Sequence, residues 1–343
     1  MKRKTIVSLL LVFTMVLLTV LSGCGSEGTE IPGTPDTGEA GYPKMEIQMA
    51  VNNANSIDAF VLEHFGELIE EKSGGNITSV LFGGTLGSEN EIVEQIRTNT
   101  VHMYVSAVAT ISNYAAAFNT FSVPYLYEDE DKFYTSWRGK IGDAIRESYE
   151  ASGFYTSENQ VLIRGFRQLT SNKMVNTPDD LNGLKLRLPE IPEWITVWGI
   201  LGAIPTPISS SEVFSALQMG VVDGQENPII SNYDKGLQEV QDYTILTNHI
   251  VDILPVVWSK DWFDGLDEDT QKLVKECLDE AMIWGTEECK KREEDYRAEM
   301  ESAGMEFIEV DSTPFAEKAI QSLTEISKGW DSWVYDQLME DIQ

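Results

Sequence analysis

Five basic side chains, Arg164, Arg167, Lys173, Lys185 and Arg187, stand against only Asp179 and Asp180 within residues 161–189. The local charge is +3 in a chain whose formal net charge is −31. A guanidinium grips two carboxylate oxygens at once through its planar fork, so this grouping suits recognition of a ligand carboxylate. Some of these arginines fall in segments that read as strand, and a guanidinium turned into a cleft needs an anionic partner. The competing reading is that each arginine pairs with one of the chain's own 56 acidic residues. Asp223 and Glu226, three apart, are residue types suited to general acid and base work. They define an alternative function, a secreted hydrolase of acidic sugars. No second motif supports it: Gly-x-Ser-x-Gly, His-Glu-x-x-His and a phosphate-cradling glycine loop are absent from the sequence. The Gly83-Gly84-Thr85-Leu86-Gly87 stretch lacks a Lys-Ser/Thr ending and reads as a turn by a cleft. His64, His102 and His249 are isolated and read as structural. Three histidines and three cysteines are poor material for a metal site, so neither metal nor cofactor is expected.

The elements that position these residues follow from pattern. A length of 343 residues with 42% hydrophobic and 10% aromatic content is enough for about two domains with substantial cores. The acid excess argues against nucleic-acid partners and against adsorption to anionic lipid. From Met45 short apolar strands alternate with amphipathic helices: strand 45–51, helix 56–72, strand 76–82, helix 88–99, strand 101–106. That alternation predicts an α/β domain with a largely parallel sheet. A second unit begins near Val161, with a strand at 161–166. A further strand at 184–188 points Leu184, Leu186 and Leu188 one way and Lys185 and Arg187 the other. Ser209 and Glu212 have capping-box spacing before a helix at 213–219. Residues 267–302 show helical periodicity over about 54 Å, long enough to brace both domains. A final helix is expected over 314–341, with a break near Gly329. Trp194 and Trp198 share one helical face and read as packing. Cys277 and Cys289, about 18 Å apart along the long helix, are expected to be free thiols.

The N-terminus carries an address. Lys2, Arg3 and Lys4 precede an apolar run from Thr5 to Leu21, and Leu21-Ser22-Gly23-Cys24 resembles the bacterial lipoprotein lipobox. In that reading residues 1–23 are a signal peptide and Cys24 carries the lipid that anchors the exported protein to the membrane. Residues 24–43 read as a flexible tether. Residues 1–23 hold three positive and no negative charges, so the chain without them carries −34.

An ordered series of segments then resembles the substrate-binding proteins of TRAP (tripartite ATP-independent periplasmic) transporters. It comprises Gly165-Phe166-Arg167-Gln168, Thr170-Ser171-Asn172-Lys173, the run from Pro178 to Pro189, and Leu201-Gly202-Ala203-Ile204-Pro205-Thr206-Pro207. Ser211-Glu212-Val213 to Gln218 and Val221-Val222-Asp223-Gly224-Gln225-Glu226-Asn227-Pro228 complete it. The resemblance implies two α/β domains that close on a ligand as a hinged trap, a periplasmic-binding-protein-like fold. Domain I would be 44–164 plus 255–300, domain II 165–254, and residues 301–343 a helical segment packed across both. It places the carboxylate-clamping arginine at Arg187, a second arginine at Arg167 and a ligand-contacting asparagine at Asn227. Asn53, Glu190 and Ser210 complete the expected ligand contacts, Glu190 favouring ligand hydroxyls and hence a sugar acid over a bare dicarboxylate. Many members carry an aromatic residue immediately before Ser-Glu-Val, where this chain has Ser210, so one aromatic wall is missing. The expected function is delivery of an organic acid to the TRAP membrane subunits, without chemistry: a sugar acid such as a uronate is favoured, with sialic acid or a C4-dicarboxylate as alternatives. The binding component of an ABC system shares the fold but lacks these ordered motifs.

Overall fold

The computed structural model describes residues 41–105 and 111–343. The expected signal peptide, Cys24, residues 24–40 of the tether and Ser106 of the third strand lie outside the described residues. β1 (Met45–Val51), β2 (Ile77–Gly83) and β3 (Met103–Val105) pair in parallel in the order β2-β1-β3. α1 (Ile57–Lys72) and α2 (Glu89–Arg97) connect them. Local chemistry fixes both helix starts. Ser56 Oγ accepts from Ala59 N, and Ser88 and Glu91 form a reciprocal capping box in which Ser88 N donates to Glu91 Oε2 at 2.7 Å. α1 buries Val61, Phe65 and Ile69, each contributing about 1.5–3 kcal/mol relative to exposure.

α3 (Glu130–Trp137) and α4 (Lys140–Ala151) lead to β4 (Phe154–Thr156), from which residues 157–161 pass to the second sheet. That sheet is built from β5 (Leu162–Ser171), β6 (Lys185–Leu188), α5 (Pro192–Leu201), β7 (Ile204–Pro207), α6 (Val213–Gln218), β8 (Gly224–Pro228), α7 (Ile229–Asp234), β9 (Tyr243–Leu246) and β10 (Val251–Leu254). Pro255 alone separates β10 from β11 (Val256–Ser259), which returns to the first sheet between β3 and β4, antiparallel to both. The first sheet is therefore mixed rather than largely parallel, because its last two strands are the chain leaving for and returning from the second sheet. After α8 (Lys260–Asp264) and α9 (Glu268–Ser302), β12 (Glu306–Glu309) adds a parallel edge to β9, giving the order β12-β9-β5-β8-β6-β7 with β10 beside β5.

α9 is the 35-residue helix foreseen in the sequence, and it packs on α1, on β5 and on α7. Gly285 shows how tightly: a Cβ there would lie 2.3 Å from Val61 Cγ2 of α1 and 3.0 Å from Leu162 Cδ1 of β5. Asp279 of α9 holds the first crossover, accepting from Ser157 Oγ at 2.6 Å and Asn159 Nδ2 at 2.9 Å. Cys277 and Cys289 are free and buried. Two local expectations change. Ser209 and Glu212 meet side chain to side chain at 2.6 Å instead of capping α6, because a 3-10 turn at Ser210–Glu212 intervenes. The expected C-terminal helix is split into α10 (Thr313–Ala319), α11 (Leu323–Ile326) and α12 (Ser332–Asp341), joined by 3-10 turns. α10 packs on α5 and α12 on α3 and α4.

Candidate functional site

β6, β7 and β8 run parallel, so their C-terminal ends share one edge of the second sheet, the place where α/β sheets hold ligands. Arg187 is the penultimate residue of β6 and Asn227 that of β8. Glu190 follows β6 by two residues and Ser210 follows β7 by three. β5 runs antiparallel to β8 with Arg167 opposite Pro228, which brings Arg167 to the same edge. Asn53 follows β1 in the first sheet; it is exposed and its Oδ1 accepts from Asn55 N within its own turn.

Arg167 is 6% exposed and its donors are largely spent within the protein. Nε donates to Glu226 Oε2 at 2.6 Å, and Nη2 to Glu226 Oε1 at 3.0 Å, to the Glu226 carbonyl at 2.9 Å and to Asn227 Oδ1 at 2.8 Å. Nη1 bonds Asp252, and the guanidinium lies 4.8 Å from the Trp194 ring. Of five N–H groups one is left over. Asp252 also accepts from Arg164 Nε at 2.7 Å, and Arg164 reaches Asp58 of α1 at 3.4 Å. Glu226 Oε2 further meets His249 Nε2 at 3.0 Å, and Thr247 holds the other imidazole nitrogen at 2.8 Å. Burial alone would raise the Glu226 and Asp252 carboxyls, but the adjacent arginines hold both below the usual carboxylate range. Burial keeps His249 below its ordinary value, against the pull of Glu226.

Arg187 is 3% exposed and differently placed. Its Nε donates to the Ile208 carbonyl at 2.8 Å, and among the described residues no carboxylate lies within ion-pair distance of it. Desolvation pushes it down to about 10; Glu226 partly offsets this and Arg167 adds to it. The sequence island of +3 thus dissolves in space. Arg164 and Arg167 are matched by Asp58, Glu226 and Asp252 from other segments, Lys173 by Asp223 at 2.9 Å, and the buried charge of Arg187 stays unmatched.

The structure brings Arg167 and Asn227 into direct contact and places Arg187 close enough for its charge to be felt by both Arg167 and Glu226. Glu190 is exposed. Ser210 is exposed as well, and its Oγ accepts from Lys235 Nζ at 3.0 Å. Asp223 and Glu226 do not form a hydrolytic pair: Glu226 is wholly buried between Arg167 and His249, whereas Asp223 binds Lys173 and the Lys185 N–H. Sequence reasoning missed Asp252, whose signal was a carboxylate inside the apolar run 250–254, and Lys235, which carries no motif. Two surface hollows of about 150 and 120 Å³ lie elsewhere, the first between the 157–159 crossover and α9. Among the described residues no helix is long and apolar enough to cross a membrane.

Residues 49–329 match the family described as bacterial extracellular solute-binding protein, family 7. A solute-binding protein of Roseobacter denitrificans is 32% identical over 252 residues, 73% of this chain and 77% of that one. The crystal structure of a TRAP periplasmic solute-binding protein from the same organism, with bound L-galactonate, is 27% identical. It superposes with a TM-score of 0.78 over 88% of this chain and 99% of that one. Another, from Ochrobacterium anthropi with bound L-fuconate, is also 27% identical, with a TM-score of 0.79 over 87% and 99%. With two sheets bridged by a long helix and a family match over most of its length, this chain belongs to the family 7 extracellular solute-binding proteins, the TRAP transporter group.

Proposed function

We propose that the protein is an extracytoplasmic lipoprotein that binds an organic acid, a sugar acid such as a uronate or aldonate, and delivers it to TRAP membrane subunits. The observation that carries this reading is Arg187: a buried guanidinium with no carboxylate partner among the described residues, at the ligand edge of a sheet. Its two terminal nitrogens are left to grip a ligand carboxylate. Arg167, spent on Glu226 and Asp252, acts by fixing Asn227, whose Oδ1 it holds and whose Nδ2 donates to Gln225 at 2.5 Å. Glu190 and Asn53, both exposed and polar, would meet ligand hydroxyls in this reading. Bound L-galactonate and L-fuconate in the similar proteins support a sugar acid.

Domain I comprises residues 44–164 plus 255–300 and domain II 165–254, with 301–343 across both. The passages at 157–161 and Pro255 are the hinges, and ligand shifts an open–closed equilibrium. Cys24 carries the lipid anchor, and Cys24→Ser is expected to leave the protein in the soluble fraction. The direct test of the binding reading is calorimetric titration with uronates, aldonates, sialic acid and C4-dicarboxylates beside their methyl esters. At least one free acid binds and its ester does not. Equal binding of acid and ester contradicts the clamp.

A further inference from the structure

The hollow of about 150 Å³ lies between the 156–159 passage out of the first sheet and α9, and Trp258 of β11 forms its floor. A cavity of about that volume holds a benzene-sized molecule. Trp258 is 1% exposed, and its indole N–H is buried with no hydrogen-bond partner among the described residues. An unpaired buried donor is unfavourable, so an acceptor arriving beside the indole is stabilised.

The remaining walls carry opposite charges. Lys275, Leu278 and Asp279 are spaced three and four residues apart and so share one face of α9. Leu278 is fully buried and, with the indole, supplies the apolar lining. At the rim the exposed Lys275 and Glu158 are loosely paired, with Nζ 3.8 Å from Glu158 Oε1, beyond hydrogen-bond length. Asp279 accepts from Ser157 Oγ on one oxygen and from Asn159 Nδ2 on the other. A carboxylate has about four lone-pair sites, so Asp279 keeps acceptor capacity. The hollow thus offers an ammonium and an indole N–H as donors and two carboxylates as acceptors. A bare anion meets both carboxylates, and a bare cation leaves Trp258 and Lys275 unmet. A molecule bearing both charges within a few bonds satisfies both halves.

We infer that this hollow is a second binding site, for a small zwitterion such as an α-amino acid. Its carboxylate receives the Trp258 N–H and the Lys275 ammonium, its own ammonium donates to Glu158 and Asp279, and a short side chain packs on Leu278. The site shares no residue with the sheet edge at Arg187 and stands independently of the organic-acid reading.

The test follows the indole ¹H–¹⁵N resonance of Trp258, identified by its absence in Trp258→Phe, during titration with three probes of similar shape. L-Alanine carries both charges, L-lactate only the negative one and L-alaninamide only the positive one. L-Alanine is expected to shift the resonance saturably, and the other two to bind about tenfold or more weakly, each lacking one set of charged hydrogen bonds. Lys275→Met, a change at an exposed position, is expected to weaken L-alanine about tenfold or more. Arg187→Met leaves the response unchanged, because the resonance then reports this site and not the sheet edge. No saturable shift with L-alanine, an equal response to all three probes, full affinity in Lys275→Met, or loss of the response in Arg187→Met each overturns the inference.

Discussion

Arg167 and Arg187 lie twenty residues apart on β5 and β6, the two strands that flank β8, and are 6% and 3% exposed. One is surrounded by Glu226, Asp252 and Asn227; the other touches a single carbonyl. Burial alone does not distinguish them. What separates a structural arginine from a ligand-binding one is whether the protein supplies the counter-charge. In the first region it does, and the result is a closed polar network linking β5, β8, β10 and the start of α1. In the second it does not, and under the proposed function the ligand carboxylate supplies it.

The largest expected effect tests the first half of that contrast. Arg167→Met leaves the buried Glu226 with only His249 and the buried Asp252 with only Arg164, and is expected to cost about 3–5 kcal/mol of stability, read from urea denaturation. A variant with the wild-type midpoint breaks the comparison. Arg187→Met is expected to have the opposite sign in the ligand-free protein: an unmatched buried cation is exchanged for an apolar side chain, so the thermal midpoint stays level or rises.

A pH series sharpens the same contrast. Glu226 and Asp252 are held below their unfolded values, so the stability they add is complete above roughly pH 4–5 and lost as pH falls through their depressed folded values. Asp58 and Glu293 are raised by burial and act in the opposite sense: the stability they cost at neutral pH is recovered as pH falls through their raised folded values. The ligand-free protein is expected to be most stable in mildly acidic buffer and to lose stability steeply below about pH 4, measured as urea midpoint against pH. The smallest effect belongs to the crossover at 157–161. Asp279→Ala frees Ser157 and Asn159 and is expected to cost about 1–3 kcal/mol, while changing acid affinity less than tenfold because no ligand group is touched.

Local features were legible in the sequence and long-range partners were not. β1 keeps its read boundaries, α1 and α9 theirs to within a residue, because periodicity, Ser56 and the run free of proline act within a few residues. β12 was missed because its pairing partner β9 lies some sixty residues away. The basic island was legible as composition, but its meaning was set by Asp252 and Glu226, which approach only when β8 and β10 pair with β5. The distinction between Arg167 and Arg187 therefore exists in the folded chain and not in the local sequence.

The most direct measurement is calorimetric titration of wild type and Arg187→Met with the tightest-binding acid of the panel, after thermal melts have shown both ligand-free proteins to be folded. The expected result is a loss of affinity of about 100-fold or more with no loss of ligand-free stability. Arg187→Met binding the acid as tightly as wild type would contradict the assignment of Arg187 as the carboxylate clamp.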